Sequence, residues 1–419
     1  MARSTDGQAT VLAADVPVYA LGFADAKHLF YVGGGGSGRS GVSNHIVRAP
    51  LTQKSAELQL GHGATLRAAG DLKLAPGEDA PMCLAVHPRD AALVCGVNEE
   101  PARLAQGNNH LRTYTYEVST RPAARAEAAA ELEVAIRATR ALPSLRIRDA
   151  EHYQKTACFS PDGSLLAVGS SNGEVQLHRY PSMEPVWTHP YVLARGEEVY
   201  DTDFSHDGTQ LVCATAAQLV VLSTAPRTSE EQGSLVAAAR ELQRIDRVFV
   251  GSQHGAFRAA RFGRGKTDVG SRDRLFALVN AAPSRAAKTR ASYVVAWEAD
   301  SWRLLGSRKV SSRPGTVLSV SPNGRLLAAG TSDLCISVLQ ARTLRSLLRA
   351  DKVHDFPPTC LSFTPSSRAI VSGSADSTVR LQVLPSGLVP KLSISDEILF
   401  VVFLVFAVLL GVLVLHVWD

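Results

Sequence analysis

The 419 residues carry a formal charge of +5, which is mild for this length: it permits attraction to an anionic membrane surface and calls for no nucleic-acid partner. Basic residues are scattered and aromatics make up only 6% of the chain, so the basic stripe with stacking platforms that nucleic-acid binding needs is missing. Six cysteines (Cys83, Cys95, Cys158, Cys213, Cys335, Cys360) form no C-x-x-C pair and lie in or beside apolar runs, which points to free, reduced thiols in a cytosolic body.

Along the chain, residues 1–22 include Arg3, Asp6 and Asp15 and no continuous apolar stretch, so no signal peptide is expected there. Next comes the most unusual segment, residues 31–47. Gly33 to Ser40 reads G-x-x-x-x-G-Arg-Ser, close to a P-loop, and Gly36, Gly38 and Gly41 fit G-x-G-x-x-G. Both patterns require a helix N-terminus directly afterwards to face a phosphate. Gly41 falls where that helix would start, and residues 43–48 alternate like a strand, so no nucleotide pocket is expected. Two readings stay open on composition. One is a flexible hairpin loop between strands at 28–32 and 45–47; the other is a loop held at both ends that curls its carbonyls around a cation.

Most of the remaining chain reads as short strands in a recurring unit. Phe159-Ser160-Pro161-Asp162-Gly163 leads into the apolar run Leu165-Leu166-Ala167-Val168, and near-copies start at Phe204, Val320 and Phe363. In each, a Pro-Asp-Gly-like turn joins two strands, because Pro presets φ and Gly takes the positive-φ position. Four strands per unit, at a spacing of about 40 to 60 residues, is the mark of propeller blades and matches the WD-repeat pattern. Trp297-Glu298 is the nearest survivor of its terminal Trp-Asp. Seven blades are expected, near 16–60, 82–139, 155–191, 198–242, 256–308, 316–348 and 359–384. Two insertions break the rhythm: 121–130, read as a helical or loose excursion, and 281–291, a basic loop.

Residues 398–415 carry no charge, and a helix of that length spans about 27 Å, close to the hydrocarbon thickness of the endoplasmic-reticulum bilayer. The expected fold is therefore all-β, a seven-bladed WD-repeat-like propeller followed by a single C-terminal transmembrane helix. Its parts are a cytosolic propeller at 1–386, a juxtamembrane linker at 387–397, the span at 398–415 and a short lumenal tail at 416–419. No Ser/His/Asp or metal-hydrolase constellation is visible, so no covalent chemistry is expected.

Pro17-Val18-Tyr19-Ala20, Gly33 to Gly36, Gly41-Val42-Ser43-Asn44 and the stretch from Gln106 to Tyr116, together with the anchor, resemble the fungal form of a known family. It is the family of WD-repeat endoplasmic-reticulum exchange factors for the Sar-type small GTPase. The resemblance implies guanine-nucleotide exchange on that GTPase at the endoplasmic-reticulum membrane, starting COPII coat assembly and transport toward the Golgi, with the Golgi membrane as a second location. It implies that Asn44 is the key exchange residue and that Gly33, Gly34, Gly35, Gly36, Ser37, Gly38, Arg39, Ser40, Gly41, Val42 and Ser43 form the partner-binding loop. A potassium ion is implied on main-chain oxygens within Gly36, Ser37, Gly38, Gly41 and Val42. The fungal loop often reads Gly-Ile-Pro-Asn where this chain has Gly41-Val42-Ser43-Asn44, which leaves the backbone before Asn44 less constrained. Other COPII-assembly proteins are further implied partners. The rival reading is a membrane-anchored scaffold that recruits a protein partner without exchange activity.

Overall fold

Among the described residues, seven blades arranged as sheets account for nearly all the regular structure. The computed structural model describes residues 3–4 and 9–388, apart from 39, 53–64, 67, 105, 122–130, 194–196, 232–233, 266–268 and 284–289. Blade one is built from Val18–Phe23, His28–Gly33 and His45–Thr52, with the short strands Thr65–Leu66 and Asp71–Lys73 both on its outer side. Blade two is Cys83–Val86, Ala92–Gly96, Leu111–Arg121 and Glu131–Leu142. Blades three to six repeat this meander, starting at Gln154, Asp201, Gln253 and Gly315. The expected seven blades are present.

Blade seven supplies only three strands from its own stretch of chain: Pro358–Phe363, Ala369–Ser374 and Thr378–Val383. Its fourth is the N-terminal Ala9–Ala13, antiparallel to Thr378–Val383 with Leu12 opposite Val379. Both ends of the propeller thus meet in one sheet, where Ala9–Ala13 covers the edge that Thr378–Val383 would otherwise leave open.

A local rule is visible in the first turn of blades three, four and six. The Ser160 hydroxyl donates to Asp162 (2.6 Å) and accepts from Leu165 N (3.0 Å), while Gly163 N donates to Ser160 O (2.9 Å). Ser205 and Ser321 do the same in blades four and six, donating to Asp207 (2.5 Å) and Asn323 (2.8 Å). A short polar side chain bonding its own turn presets the hairpin before any distant contact forms.

The apolar core is divided among the seams between blades. Leu29, Tyr31 and Ala49 of blade one pack with Leu12, Val371 and Val379 of blade seven. Phe30, Val32 and Ile46, on the other side of blade one, pack with Leu93, Cys95 and Tyr114 of blade two. Second strands are covered on both faces, which is why 29–33, 211–214 and 275–279 read as continuous apolar runs without alternation. All six cysteines are free, and burial pushes the thiols of Cys83, Cys158, Cys335 and Cys360 up to about 12.

Two hairpins run beyond their blades. Leu111–Arg121 and Glu131–Leu142 stay paired as far as Arg121 and Glu131, so the expected excursion at 121–130 begins as a strand, and 122–130 lie outside the described residues. Gln218–Glu231 and Ser234–Asp246 extend likewise in blade four, where the sequence marked no insertion. The basic loop expected at 281–291 lies partly outside the described residues, at 284–289.

Met1–Val383 form one compact unit and Leu384–Asp419 fall in a second. The expected span 398–415 and lumenal tail lie outside the described residues, as does the linker from 389 onward. Among the described residues no helix is long and apolar enough to cross a membrane.

Leu12 is 9% exposed in the blade-seven seam and Val11, next to it, is 49% exposed. Leu12→Ala is therefore expected to cost about 2–3 kcal/mol, and Val11→Ala less than about 0.5 kcal/mol, in chemical denaturation of the full chain. Equal costs would contradict the register of the closing strand.

Candidate functional site

Antiparallel neighbours reverse direction at each turn, so the link between a blade's second and third strands emerges at the same end as the link to the next blade. This rule gathers four segments on one face: the glycine loop 34–44, the link 74–82, the link 97–110, and the link 143–153 between blades two and three. The glycine loop occupies the hairpin position between Gly33 and its partner His45.

Gly33 and Gly34 are buried against the chain entering blade one, where Gly34 N donates to Pro17 O (3.1 Å). From Gly35 outward the loop rises into solvent, and Ser37, Gly38, Ser40, Gly41 and Val42 are exposed, Val42 presenting an apolar side chain. Arg39 lies outside the described residues. Ser43 is half-buried and Asn44 is 7% exposed.

The Asn44 amide points into the protein and clasps the loop. Its Oδ1 accepts from Gly36 N (3.0 Å), and its Nδ2 donates to Gly36 O (3.3 Å) and to Glu78 O (2.7 Å). Its main-chain oxygen accepts from Leu74 N (2.9 Å). A side chain with both a donor and an acceptor is required to pair with one residue's N–H and C=O together. The conformation also demands glycine. A Cβ on Gly34, whose φ is +154°, would stand 2.0 Å from Asn44 Oδ1. One on Gly35 would stand 2.1 Å from Ser40 Oγ and 2.9 Å from Val42 O.

The link 74–82 forms a shelf under this clasp. Asp79 Oδ1 accepts from Ser37 N (3.0 Å) and Ala80 N (2.8 Å), and Glu78 Oε2 accepts from Ala75 N (3.0 Å). Glu78 Oε1 meets the Arg112 guanidinium at 3.0 Å, and that guanidinium also lies 3.9 Å from Glu99 Oε1. From there a polar chain runs across blade two. Asn109 Nδ2 donates to Glu99 (2.8 Å), Asn108 Nδ2 to Asn98 Oδ1 (3.0 Å), and Asn98 Nδ2 to His152 O (2.8 Å). Two of the stretches that carry the sequence resemblance, the glycine loop and 106–116, are thus joined through Glu78. Neither Glu78 nor Asp79 was singled out in the sequence; the Pro76-Gly77 turn before them was the available signal.

Behind the face, His110 is fully buried. Its Nδ1 lies 2.9 Å from Gln154 Oε1, and its Nε2 accepts from Leu145 N (3.0 Å) and Ser144 N (3.3 Å). An acceptor Nε2 means a neutral ring, and burial pushes its pKa down to about 4. Beside the shelf, the axial cavity of ≈ 530 Å³ is lined by Tyr19, Tyr153, Tyr200 and Lys155. Burial and the Asp79 charge raise the Tyr19 phenol. Four charged residues lining it are paired: Lys155 with Glu198, Asp201 with Arg261, and Asp203 with Arg264 at 2.5 Å, the last two joining blades four and five. The arrangement offers main-chain oxygens, one carboxylate and an amide clasp; among the described residues no three His, Cys, Asp or Glu converge as metal ligands.

The family model described as WD domain, G-beta repeat matches residues 151–179 and 345–381. The chain is 26% identical over 351 residues to guanine nucleotide-exchange factor SEC12 of Mus musculus, covering 80% of this chain and 78% of that protein. The same-named protein of Rattus norvegicus matches at 26% over 360 residues, with the same coverage. SEC12-like protein 2 of Arabidopsis thaliana matches at 26% over 314 residues, 74% of this chain and 64% of that protein. These relatives bear out the resemblance stated on the sequence, to WD-repeat exchange factors of the SEC12 type.

Two expectations follow. Because the folded His110 takes up its proton only near pH 4 while the unfolded ring does so near 6.5, unfolding is favoured as pH falls through that window. Stability is full above pH 6.5, and on the order of 3 kcal/mol is lost by pH 4, with His178 and His354 shifted in the same direction. His110→Gln should flatten part of that slope in urea titrations at pH 7 and pH 4.5; an unchanged slope counts against the assignment. Gly34→Ala should cost about 2 kcal/mol in thermal unfolding by displacing the Asn44 amide, and no loss would contradict the close approach.

Proposed function

We propose that this chain is a guanine-nucleotide exchange factor that loads a Sar-type small GTPase with GTP at the endoplasmic-reticulum membrane and so starts COPII coat assembly and vesicle transport toward the Golgi. Residues 398–415 serve as a single C-terminal anchor, with the propeller in the cytosol. The observation that carries the reading is the clasped glycine loop: an exposed tip at Ser37, Gly38 and Ser40 to Val42, on a base held by Asn44, in a chain similar to SEC12 proteins over about four-fifths of its length.

A small GTPase holds its nucleotide through a phosphate-binding loop and Mg²⁺, with switch segments ordered around them. An exchange factor needs to bind the nucleotide-free form more tightly than the nucleotide-bound form, and linkage then lowers nucleotide affinity by the same factor. A stiff projecting loop suits this task, since little ordering entropy is lost when it meets its partner. Ser37 to Val42 contact the GTPase. Asn44 acts from beneath by holding Gly36 to the shelf, in addition to any contact made when the partner is docked.

The same reading includes a potassium ion held by the loop. The Val42 carbonyl lies on the inner side facing Gly35, the Asp79 carboxylate lies at Ser37, and glycines leave no Cβ in the way. Main-chain oxygens of Gly36, Ser37, Gly38, Gly41 and Val42 would hold it. Such an ion supplies positive charge that draws carbonyl oxygens inward.

The test is release of labelled GDP from a Sar-type GTPase on adding the full chain. The parent should accelerate release. Asn44→Ala should slow it at least about tenfold, matching the loss of a buried amide's bonds. Sodium in place of potassium should also slow it. A parent that binds the GTPase without accelerating release would leave the scaffold reading in its place.

A further inference from the structure

Among the described residues, the loop 34–44 is held from outside at two places, Pro17 and the link 74–79. The second hold comprises Leu74 N to Asn44 O, Asn44 Nδ2 to Glu78 O, and Ser37 N to Asp79 Oδ1. That link has no ladder of its own beyond Lys73, so its shape depends on what grips Glu78 and Asp79. Two contacts with blade two do so: Asp79 N donates to Asn98 O (3.0 Å), and Arg112 meets Glu78 at 3.0 Å.

Arg112 is well placed to be the firmer of these. Its backbone is paired on both sides, with Cys95 and with Ala141, so it cannot follow a moving loop. Its side chain and that of Glu78 are only 17% and 20% exposed, which spares the pair much of the screening that weakens surface ion pairs. One guanidinium serves two carboxylates, Glu78 and Glu99. Removing it leaves two like charges near one another, with the Glu78 carboxylate kept, among the described residues, only by its bond from Ala75 N within the same link.

We infer that Arg112 is a positioning residue of the exchange loop: through Glu78 it sets the shelf to which Asn44 clasps Gly36, so blade two dictates the shape of a loop carried by blade one. This rests on the exchange reading given above. It makes the stretch 106–116 part of the exchange apparatus without requiring it to touch the GTPase.

The test pairs hydrogen exchange of the full chain with GDP release, using Arg112→Met, Arg112→Lys, Glu78→Gln and the Arg112→Met/Glu78→Gln double variant. Arg137→Met, which breaks an exposed pair with Glu117 on the blade-two hairpin, is the control. Arg112→Met should speed amide exchange in 33–44 and 74–80 about tenfold while leaving blades four to six unchanged. It should lower the saturating GDP-release rate about tenfold, with little change in the concentration giving half of it. Lysine should restore part of the rate, and the double variant should be no worse than Arg112→Met alone. Should Arg112→Met fail to fold, the lysine variant and Glu78→Gln carry the same comparison. Unchanged loop exchange overturns the inference, and so does faster loop exchange with full GDP release. If the parent itself releases no GDP, the exchange reading falls, while the amide data still decide whether Arg112 holds the loop.

Discussion

The pairing of Ala9–Ala13 with Thr378–Val383 is the contact on which the rest of the molecule depends. A ring of blades has no single core; its apolar surface is divided among the seams, and each seam needs a blade on both sides. Without the closing strand, blade seven would present an open edge. Its seam with blade one, where Leu12 and Ala14 meet Val18, Leu29 and Leu381, would lose part of its apolar surface. Blade one carries the glycine loop, so the fixed position of that loop traces back to two segments more than 360 residues apart.

On that base the loop is a small balance of opposed demands. It must reach into solvent at Ser37, Gly38 and Ser40 to Val42, yet a run of glycines loses more conformational entropy on ordering than any other sequence. The Asn44 amide offsets part of that cost with three side-chain bonds in a nearly dry place, and the close approach of Gly34 and Gly35 leaves no room for a Cβ. The resemblance cast Asn44 as the residue that acts on the partner. In the free protein its amide faces inward, so its visible work is to hold the loop in shape.

Much of the fold was legible in the sequence because its cues are local. Ser160-Pro161-Asp162-Gly163 folds its turn with its own side chains, and Leu165 to Val168 announces a strand covered on both faces. Near-copies of that unit at Phe204, Val320 and Phe363, with strand-like runs between them, let both the architecture and the blade count be read. The long hairpin of blade four could not, since 224–228 carries the mixed polar pattern of an exposed ribbon with no core to impose alternation. Within the site, the loop itself stood out by composition. The shelf did not: Glu78 and Asp79 look like ordinary acids after a Pro-Gly turn.

The sequence by itself determined the repeat, the turns, the reduced state expected of the thiols, the place of the glycine run between two strands, and the uncharged stretch near its end. Those follow from periodicity and from bonds between residues a few positions apart. Only the tertiary structure decided that Asn44 turns inward to Glu78, that Arg112 braces Glu78 from the neighbouring blade, and that residue 12 closes on residue 379. Each of those pairs residues 34 or more positions apart, and partners at such separation are chosen by how the blades stack, which no local pattern encodes.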